Sequence, residues 1–158
     1  MIKLKIDGRD VTVEKGTSIL DAALRVGAKI PTLCHDQRLI PFGACRMCIV
    51  EEKGKRGKLI PACYTPTRAG MDIVTDSPEI RASRRKKLDL LLLNHPMDCP
   101  TCDKHGNCDL QRLVYEYGLS DKMYPWQQTT FPVDDVSPFI KRDPNKCILC
   151  GKCVRICV

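Results

Sequence analysis

Aromatic residues make up only 5% of this sequence, with a single tryptophan. A chain of 158 residues ordinarily encloses one sizeable core. Here the apolar residues come in short runs broken by Gly, Pro and charge, which points to several small units instead. Long hydrophobic stretches are missing too. The longest leucine run, Leu90 to Leu93, is closed off by Asp89 and Asn94, far short of the roughly 18 apolar residues a membrane span needs. Met1 to Asp10 alternates charge with apolar residues and has no hydrophobic h-region, so a secreted disulfide protein is disfavoured and a cytoplasmic location is expected. No P-loop, dinucleotide fingerprint or nucleophile triad occurs, which argues against a complete enzyme in these residues. Gly54 and Gly57, among Lys53, Lys55, Arg56 and Lys58, make a solvent-exposed turn.

Acidic residues are outnumbered, 19 against 26 basic, for a formal charge of +7. The run Arg81, Arg84, Arg85, Lys86 and Lys87 lies on a predicted helix and is expected to form its solvated face. Nucleic acid is disfavoured as a partner; docking against an acidic protein surface is the better use of such charge.

What the sequence has in quantity is cysteine. Its eleven cysteines fall into three tight groups with none left over: Cys34, Cys45, Cys48 and Cys63; Cys99, Cys102 and Cys108, preceded by His95; and Cys147, Cys150, Cys153 and Cys157. Each spacing suits iron–sulfur ligation, and metal binding can supply the folding free energy that small units lack. Bound thiolates would also offset part of the positive charge.

The first group reads C-x10-C-x2-C-x14-C. One long gap and one C-x2-C pair suit a [2Fe–2S] rhomb, with Gly43 and Ala44 leaving room for backbone N–H groups near the sulfur atoms. A structural zinc module is the rival, although zinc usually takes two such knuckles. In the second group, H-x3-C-x2-C-x5-C, three thiolates leave one corner of a cubane for an imidazole nitrogen. His35 and His105 have no place in these spacings and are expected at the surface. The third group, C-x2-C-x2-C-x3-C, is a bacterial-ferredoxin run, in which Cys147, Cys150 and Cys153 serve one cubane and Cys157 a further cluster. The companion cysteines of that run do not follow, so the site is incomplete as it stands.

Coarse patterning supplies a mixed α+β frame. Ile2, Leu4 and Ile6 alternate with charge before Gly8 and Arg9, and Val11 and Val13 continue the alternation, a hairpin pattern. Thr17 is placed to cap a helix burying Ile19, Leu20, Ala23 and Leu24, with Gly27 as its stop. Met47 to Glu51, Lys58 to Ile60 and Met71 to Val74 are strand candidates. Asp76, Ser77 and Pro78 start a second helix with Ile80, Leu88, Leu91 and Leu92 on a buried stripe, ended by Asn94, His95 and Pro96. A third helix over Cys108 to Tyr117 turns Leu110, Leu113 and Val114 inward and stops at Gly118. The expected units are residues 1–78, residues 79–118, a connecting segment at 119–137 with Pro125, Pro132 and a Gln/Thr stretch, and the start of a third unit at 138–158.

The stretches Pro41 to Glu51 and Pro61 to Pro66 resemble the plant-ferredoxin-like domain of a family containing the NADH-linked formate dehydrogenase alpha subunits, the multi-cluster [FeFe] hydrogenases and the large iron–sulfur subunit of respiratory complex I. Asn94 to Gln111 is similar to that family's His(Cys)3 domain, and Asp134 to Cys157 resembles its formate dehydrogenase and hydrogenase members more than complex I. The resemblance implies a β-grasp [2Fe–2S] domain with Cys34, Cys45, Cys48 and Cys63 as ligands. It also implies a helical [4Fe–4S] domain with ligands His95, Cys99, Cys102 and Cys108, then the start of a 4Fe–4S ferredoxin domain. The function it implies is an electron relay between NADH-oxidising flavin and iron–sulfur subunits and a catalytic domain. The family's catalytic centres lie in other domains, so this chain is not expected to be catalytic alone. Because the third run breaks off inside its pattern, a piece of a longer chain is expected rather than a stand-alone subunit.

Overall fold

The computed structural model describes residues 1–54, 58–120 and 129–157. The expected turn at Lys55, Arg56 and Gly57, and Pro125 with its neighbouring glutamines, lie outside the described residues. The chain forms two compact units: Met1–Arg84 with Gly151–Val158, and Arg85–Cys150.

The first unit is mixed α/β. Strands β1 (Ile2–Ile6) and β2 (Arg9–Val13) pair antiparallel, and β3 (Ile49–Glu52), β4 (Leu59–Pro61) and β5 (Asp72–Val74) complete a sheet in the order β2-β1-β5-β3-β4. Only the β1–β5 pairing is parallel. Period-two alternation puts Leu4, Ile6, Val11 and Val13 on the buried face. The hairpin turn is Asp7-Gly8, both with positive φ (49° and 78°), so Arg9 is already the first residue of β2 rather than part of the turn. The Asp7 carboxylate accepts from the Thr75 amide at 2.8 Å and its hydroxyl at 2.6 Å, tying the turn to the end of β5.

Helix α1 (Ile19–Arg25) covers the sheet with Ile19, Leu20, Ala22 and Ala23. Its cap is Ser18, not the expected Thr17: the Ser18 hydroxyl accepts from the Asp21 amide at 3.1 Å and donates to the Asp21 carboxylate at 2.7 Å. The buried stripe runs through Ile19, Leu20, Ala22 and Ala23, and Leu24 lies outside it, 53% exposed instead of in the core as expected.

Helix α2 (Pro78–Leu93) begins as its sequence suggests, with Pro78 in the first turn and the Ser77 hydroxyl accepting from the Ile80 amide at 3.2 Å. Ile80, Leu88 and Leu92 are buried, and so is Arg84, at 2% exposure. The expectation of a uniformly solvated basic face is therefore wrong at Arg84, which stands one helical repeat from both Ile80 and Leu88. Arg81 does face solvent, paired with Asp76 at 2.6 Å.

In the second unit, helix α3 (Asp109–Glu116) buries Leu110, Leu113 and Val114 and ends at Gly118, whose φ is 63°. The Arg85 guanidinium donates to the carbonyl of Tyr117, again not a solvated role. Residues 129–140 are exposed throughout. The short helix α4 (Lys152–Arg155) belongs to the first unit. Among the described residues, no helix is long and apolar enough to cross a membrane.

Candidate metal centres

The first cysteine group lies in the first unit. Cys34 sits in the irregular segment between α1 and β3, and Cys45 and Cys48 bracket the turn that enters β3. Antiparallel pairing of β3 with β4 sets Ile49 opposite Pro61, and the Ala62 amide donates to the Cys48 carbonyl at 2.9 Å. That register carries Cys63, 15 positions away in sequence, back beside Cys48. The thiols form two hydrogen-bonded pairs, Cys34 with Cys45 and Cys48 with Cys63.

Within each pair one thiol gives up its proton easily and the other holds it. The hydrogen bond from Cys45 pulls Cys34 down to about 5, against the opposing effect of burial, with amides of Cys45 and Ala44 assisting. Cys63 likewise brings Cys48 to about 7, while Cys45 and Cys63 are pushed far up, first by these same bonds and then by burial. Cys34, Cys48 and Cys63 are buried, Cys45 partly so.

The backbone around these thiols is unusual. Arg46, inside the C-x2-C turn, has φ 54°, a left-handed conformation that a non-glycine residue adopts only when its surroundings hold it there. Its guanidinium donates to the Tyr64 hydroxyl at 2.5 Å and lies 5.6 Å from the ring centroid. Gly43, at φ 69°, is needed for a second reason: a Cβ there would run into the Tyr64 ring. His35 is not a free surface residue as expected; both its ring nitrogens are buried without a hydrogen-bond partner among the described residues.

The donor set fits an iron–sulfur rhomb. The four thiols act on one another across the pairs as well as within them, as ligands gathered around one small cluster do. The unsatisfied nitrogens of His35, next to Cys34, are polar capacity that sulfur atoms bound there can meet. Among the described residues, no three His, Cys, Asp or Glu side chains converge as the ligands of one ion.

The second group surrounds a cavity of about 300 Å³ in the second unit, where His95, Cys99, Cys102 and Cys108 share the lining with Leu92, Leu110 and Val114. His95 follows the last turn of α2 directly. Cys99 opens a short 3-10 turn (Cys99–Thr101), and Cys102 closes it. Cys108 is the N-cap of α3, its sulfur accepting from the Gln111 amide at 3.5 Å, at a helix end that favours negative charge. Donors at the walls of a shared cavity suit the corners of a polynuclear cluster, each corner taking one ligand.

His105 is exposed, as its sequence position suggests, yet it has a structural task that spacing does not show. Its Nδ1 lies 2.9 Å from the Cys99 carbonyl and 3.2 Å from the Gln111 Nε2; it donates to the first in one tautomer and accepts from the second in the other. The Gln111 carboxamide accepts from the Gly106 amide at 3.0 Å and closes the same loop.

The third group is the least sheltered: Cys147, Cys153 and Cys157 are exposed. Cys147 and Cys150 belong to the second unit, Cys153 and Cys157 to the first. The Leu149 amide donates to the Cys147 sulfur at 3.4 Å, with Leu149 itself at φ 55°. Two side chains near these groups are not singled out by the sequence, Arg84 and Arg155. The Arg84 guanidinium donates to the carbonyls of Met47 (3.0 Å) and Ile49 (2.8 Å), on either side of Cys48, and to Thr75 (3.0 Å). Its place on the Ile80–Leu88 stripe is the signal.

Comparison with known proteins accounts for all three groups. Residues 1–78 match a 2Fe-2S iron-sulfur cluster binding domain, residues 84–122 the NADH-ubiquinone oxidoreductase-G iron-sulfur binding region, and residues 140–157 a 4Fe-4S binding domain. Over 156 residues the chain is 44% identical to the NADPH-Fe(3+) oxidoreductase subunit alpha of Geobacter sulfurreducens, covering 99% of this chain and 18% of that protein. It is 39% identical over 155 residues to the NADH-ubiquinone oxidoreductase 75 kDa subunit of Reclinomonas americana, with 98% of this chain and 22% of the relative covered. A crystal structure of an NAD+-reducing [NiFe]-hydrogenase in the H2-reduced state superposes with a TM-score of 0.90 at 33% identity, over 98% of this chain and 64% of that one. The chain thus spans about a fifth of the length of these curated relatives. Its three matched segments make it an iron–sulfur protein, similar across its length to iron–sulfur subunits of NADH- and NADPH-linked oxidoreductases.

Proposed function

We propose that this chain is the electron-relay region of a larger NADH- or NADPH-linked oxidoreductase. Cys34, Cys45, Cys48 and Cys63 would hold a [2Fe–2S] cluster, with Cys34 and Cys45 on one iron and Cys48 and Cys63 on the other. His95, Cys99, Cys102 and Cys108 would hold a [4Fe–4S] cluster. Cys147, Cys150 and Cys153 would contribute to a further cubane, and Cys157 to another. The observation that carries this reading is the grouping of the first four thiols into two pairs inside a segment matching a 2Fe-2S domain.

Bound clusters supply one-electron chemistry that no side chain here provides. The chain's own residues bind and tune. Thiols that share a proton release it as metal enters. Amides of Ala44 and Cys45 point at the Cys34 sulfur and spread its negative charge. His95 brings a neutral donor where cysteine would bring an anion. In the whole enzyme the relay would take electrons from a flavin-containing, NAD(P)H-oxidising subunit and pass them to a catalytic domain of the hydrogenase, formate dehydrogenase or quinone-reducing type. The cytoplasm is the compartment proposed for it.

Single-site variants of anaerobically purified protein test the assignment. Cys45→Ser is expected to remove or distort the [2Fe–2S] EPR signal of the reduced protein and leave the cubane signal intact; Cys102→Ser is expected to do the reverse. If both signals survive both substitutions, the ligand sets are wrong.

A further inference from the structure

The segment carrying Cys153 and Cys157 has a second use that its own cysteines do not explain. The segment between α1 and β3 that holds Cys34 contains no helix or strand, so something else must fix this thiol. Arg155, in α4, meets it. Its Nη2 donates to the Cys34 carbonyl at 2.6 Å, its Nη1 to the Ile40 carbonyl at 2.7 Å and its Nε to the Gly151 carbonyl at 3.2 Å. The flat face of the guanidinium lies 5.3 Å from the centroid of Phe42. Gly151, at the N-terminus of α4, has φ 66°, a left-handed conformation that glycine takes without strain. Three directed N–H bonds and one stacked face are what a planar guanidinium offers and an ammonium does not.

Taking the [2Fe–2S] assignment above as its basis, we propose that Arg155 is a positioning residue for the first cluster. It fixes the Cys34 loop through the Cys34 and Ile40 carbonyls and places a positive charge beside the site, favouring the reduced state. Reduction adds one negative charge to the cluster, and a nearby cation under partial burial stabilises that added charge. The same charge acts on the Cys34 thiol in the thiolate direction, less strongly than the hydrogen bond from Cys45 does. Part of the third cysteine run thus serves the first site.

The test is an EPR-monitored redox titration of the anaerobically purified chain and of its Arg155→Gln, Arg155→Lys and Arg38→Gln variants. Loss of the [2Fe–2S] signal to an iron chelator is followed in parallel. Arg155→Gln is expected to lower the equilibrium constant for reduction on the order of tenfold, about 59 mV for a one-electron couple, and to hasten cluster loss. Arg155→Lys keeps the charge but cannot bridge both carbonyls, so the potential should stay nearer the parent while cluster loss still quickens. Arg38→Gln, an exposed charge on the same loop paired with Asp36, should change neither by more than about twofold. The [4Fe–4S] signal serves as an internal control and should not move. Parent-like potential and chelator resistance in both Arg155 variants would overturn the proposal, as would an equal shift in Arg38→Gln. Parent protein lacking a [2Fe–2S] signal would instead overturn the cluster assignment beneath it.

Discussion

Cys34, Cys48 and Cys63 are each 1–2% exposed and are carried by a unit whose five-stranded sheet sets Cys63 beside Cys48. Cys99, Cys102 and Cys108 lie in a stretch whose regular structure is a three-residue turn and the cap of α3. The third group is more exposed again. In the first unit a core of Leu4, Ile6, Val13, Ile19 and Ile73 does the folding, and the metal site is built on it. In the cysteine loop of the second unit no residue between Met97 and Cys108 is fully buried and hydrogen bonds such as those of His105 and Gln111 hold the backbone, so this loop is expected to depend on its metal site far more than the sheet does. One chain therefore shows both a site supported by a fold and a loop that depends on its site.

Stripping the clusters with an anaerobic chelator puts that contrast at greatest risk. Amide exchange should then show protection in β1 to β5 changing by less than about tenfold, while residues 97–108 lose on the order of a hundredfold. Equal loss in both would mean the sheet also depends on metal. Next in size is Arg84. Replacing it with Met leaves the carbonyls of Met47, Ile49 and Thr75 without their donor and should cost roughly 3 kcal/mol in denaturant unfolding of the first unit. Arg81→Met, on the exposed side of the same helix, should cost no more than about 0.5 kcal/mol.

His95→Cys probes the second unit alone. It exchanges a neutral ligand for an anionic one and should lower the midpoint potential of its cluster while leaving the first cluster's potential unmoved; an unchanged or raised value, with the cubane intact by EPR, contradicts the assigned role. In the metal-free protein the Cys34–Cys45 pair should keep one thiolate from pH 9 down to about 5, read by ultraviolet thiolate absorbance. Because the folded value for Cys34 lies below its ordinary 9.0, the stabilisation it brings is present above that ordinary value and is lost as pH falls through about 5. The smallest effect belongs to Leu24→Ala, which should change stability by about 0.5 kcal/mol or less, since that side chain is already largely in solvent.

Much of this is legible in the sequence for physical reasons that are local. Alternation in Ile2 to Val13 gives a hairpin because a two-residue Asp-Gly turn fits the strand twist, and Gly27 and Gly118 end helices because each sits at positive φ. The cysteine spacings report the metal groups because ligand geometry constrains neighbours along the chain. The parts that escape are contacts distant in sequence or decided by one residue of register. Ser18 rather than Thr17 caps α1, and the buried stripe takes in Ala22 rather than Leu24. Arg84 reads as one charge in a basic run, although its spacing from Ile80 and Leu88 already places it on the buried stripe. Arg155 reaches back 121 positions to Cys34, and no pattern within a motif encodes such a partner. His35 reads as a surface residue because nothing beside it in sequence says that its ring nitrogens are covered.

Whether these thiols carry iron and sulfide is decided by iron and acid-labile sulfide analysis of the anaerobically purified chain, read together with Mössbauer spectra of the same sample. Near-stoichiometric sulfide to iron is expected, with spectra that separate a thiolate-bound two-iron site from a four-iron site. A colourless protein holding zinc on these thiols, without labile sulfide, would contradict it.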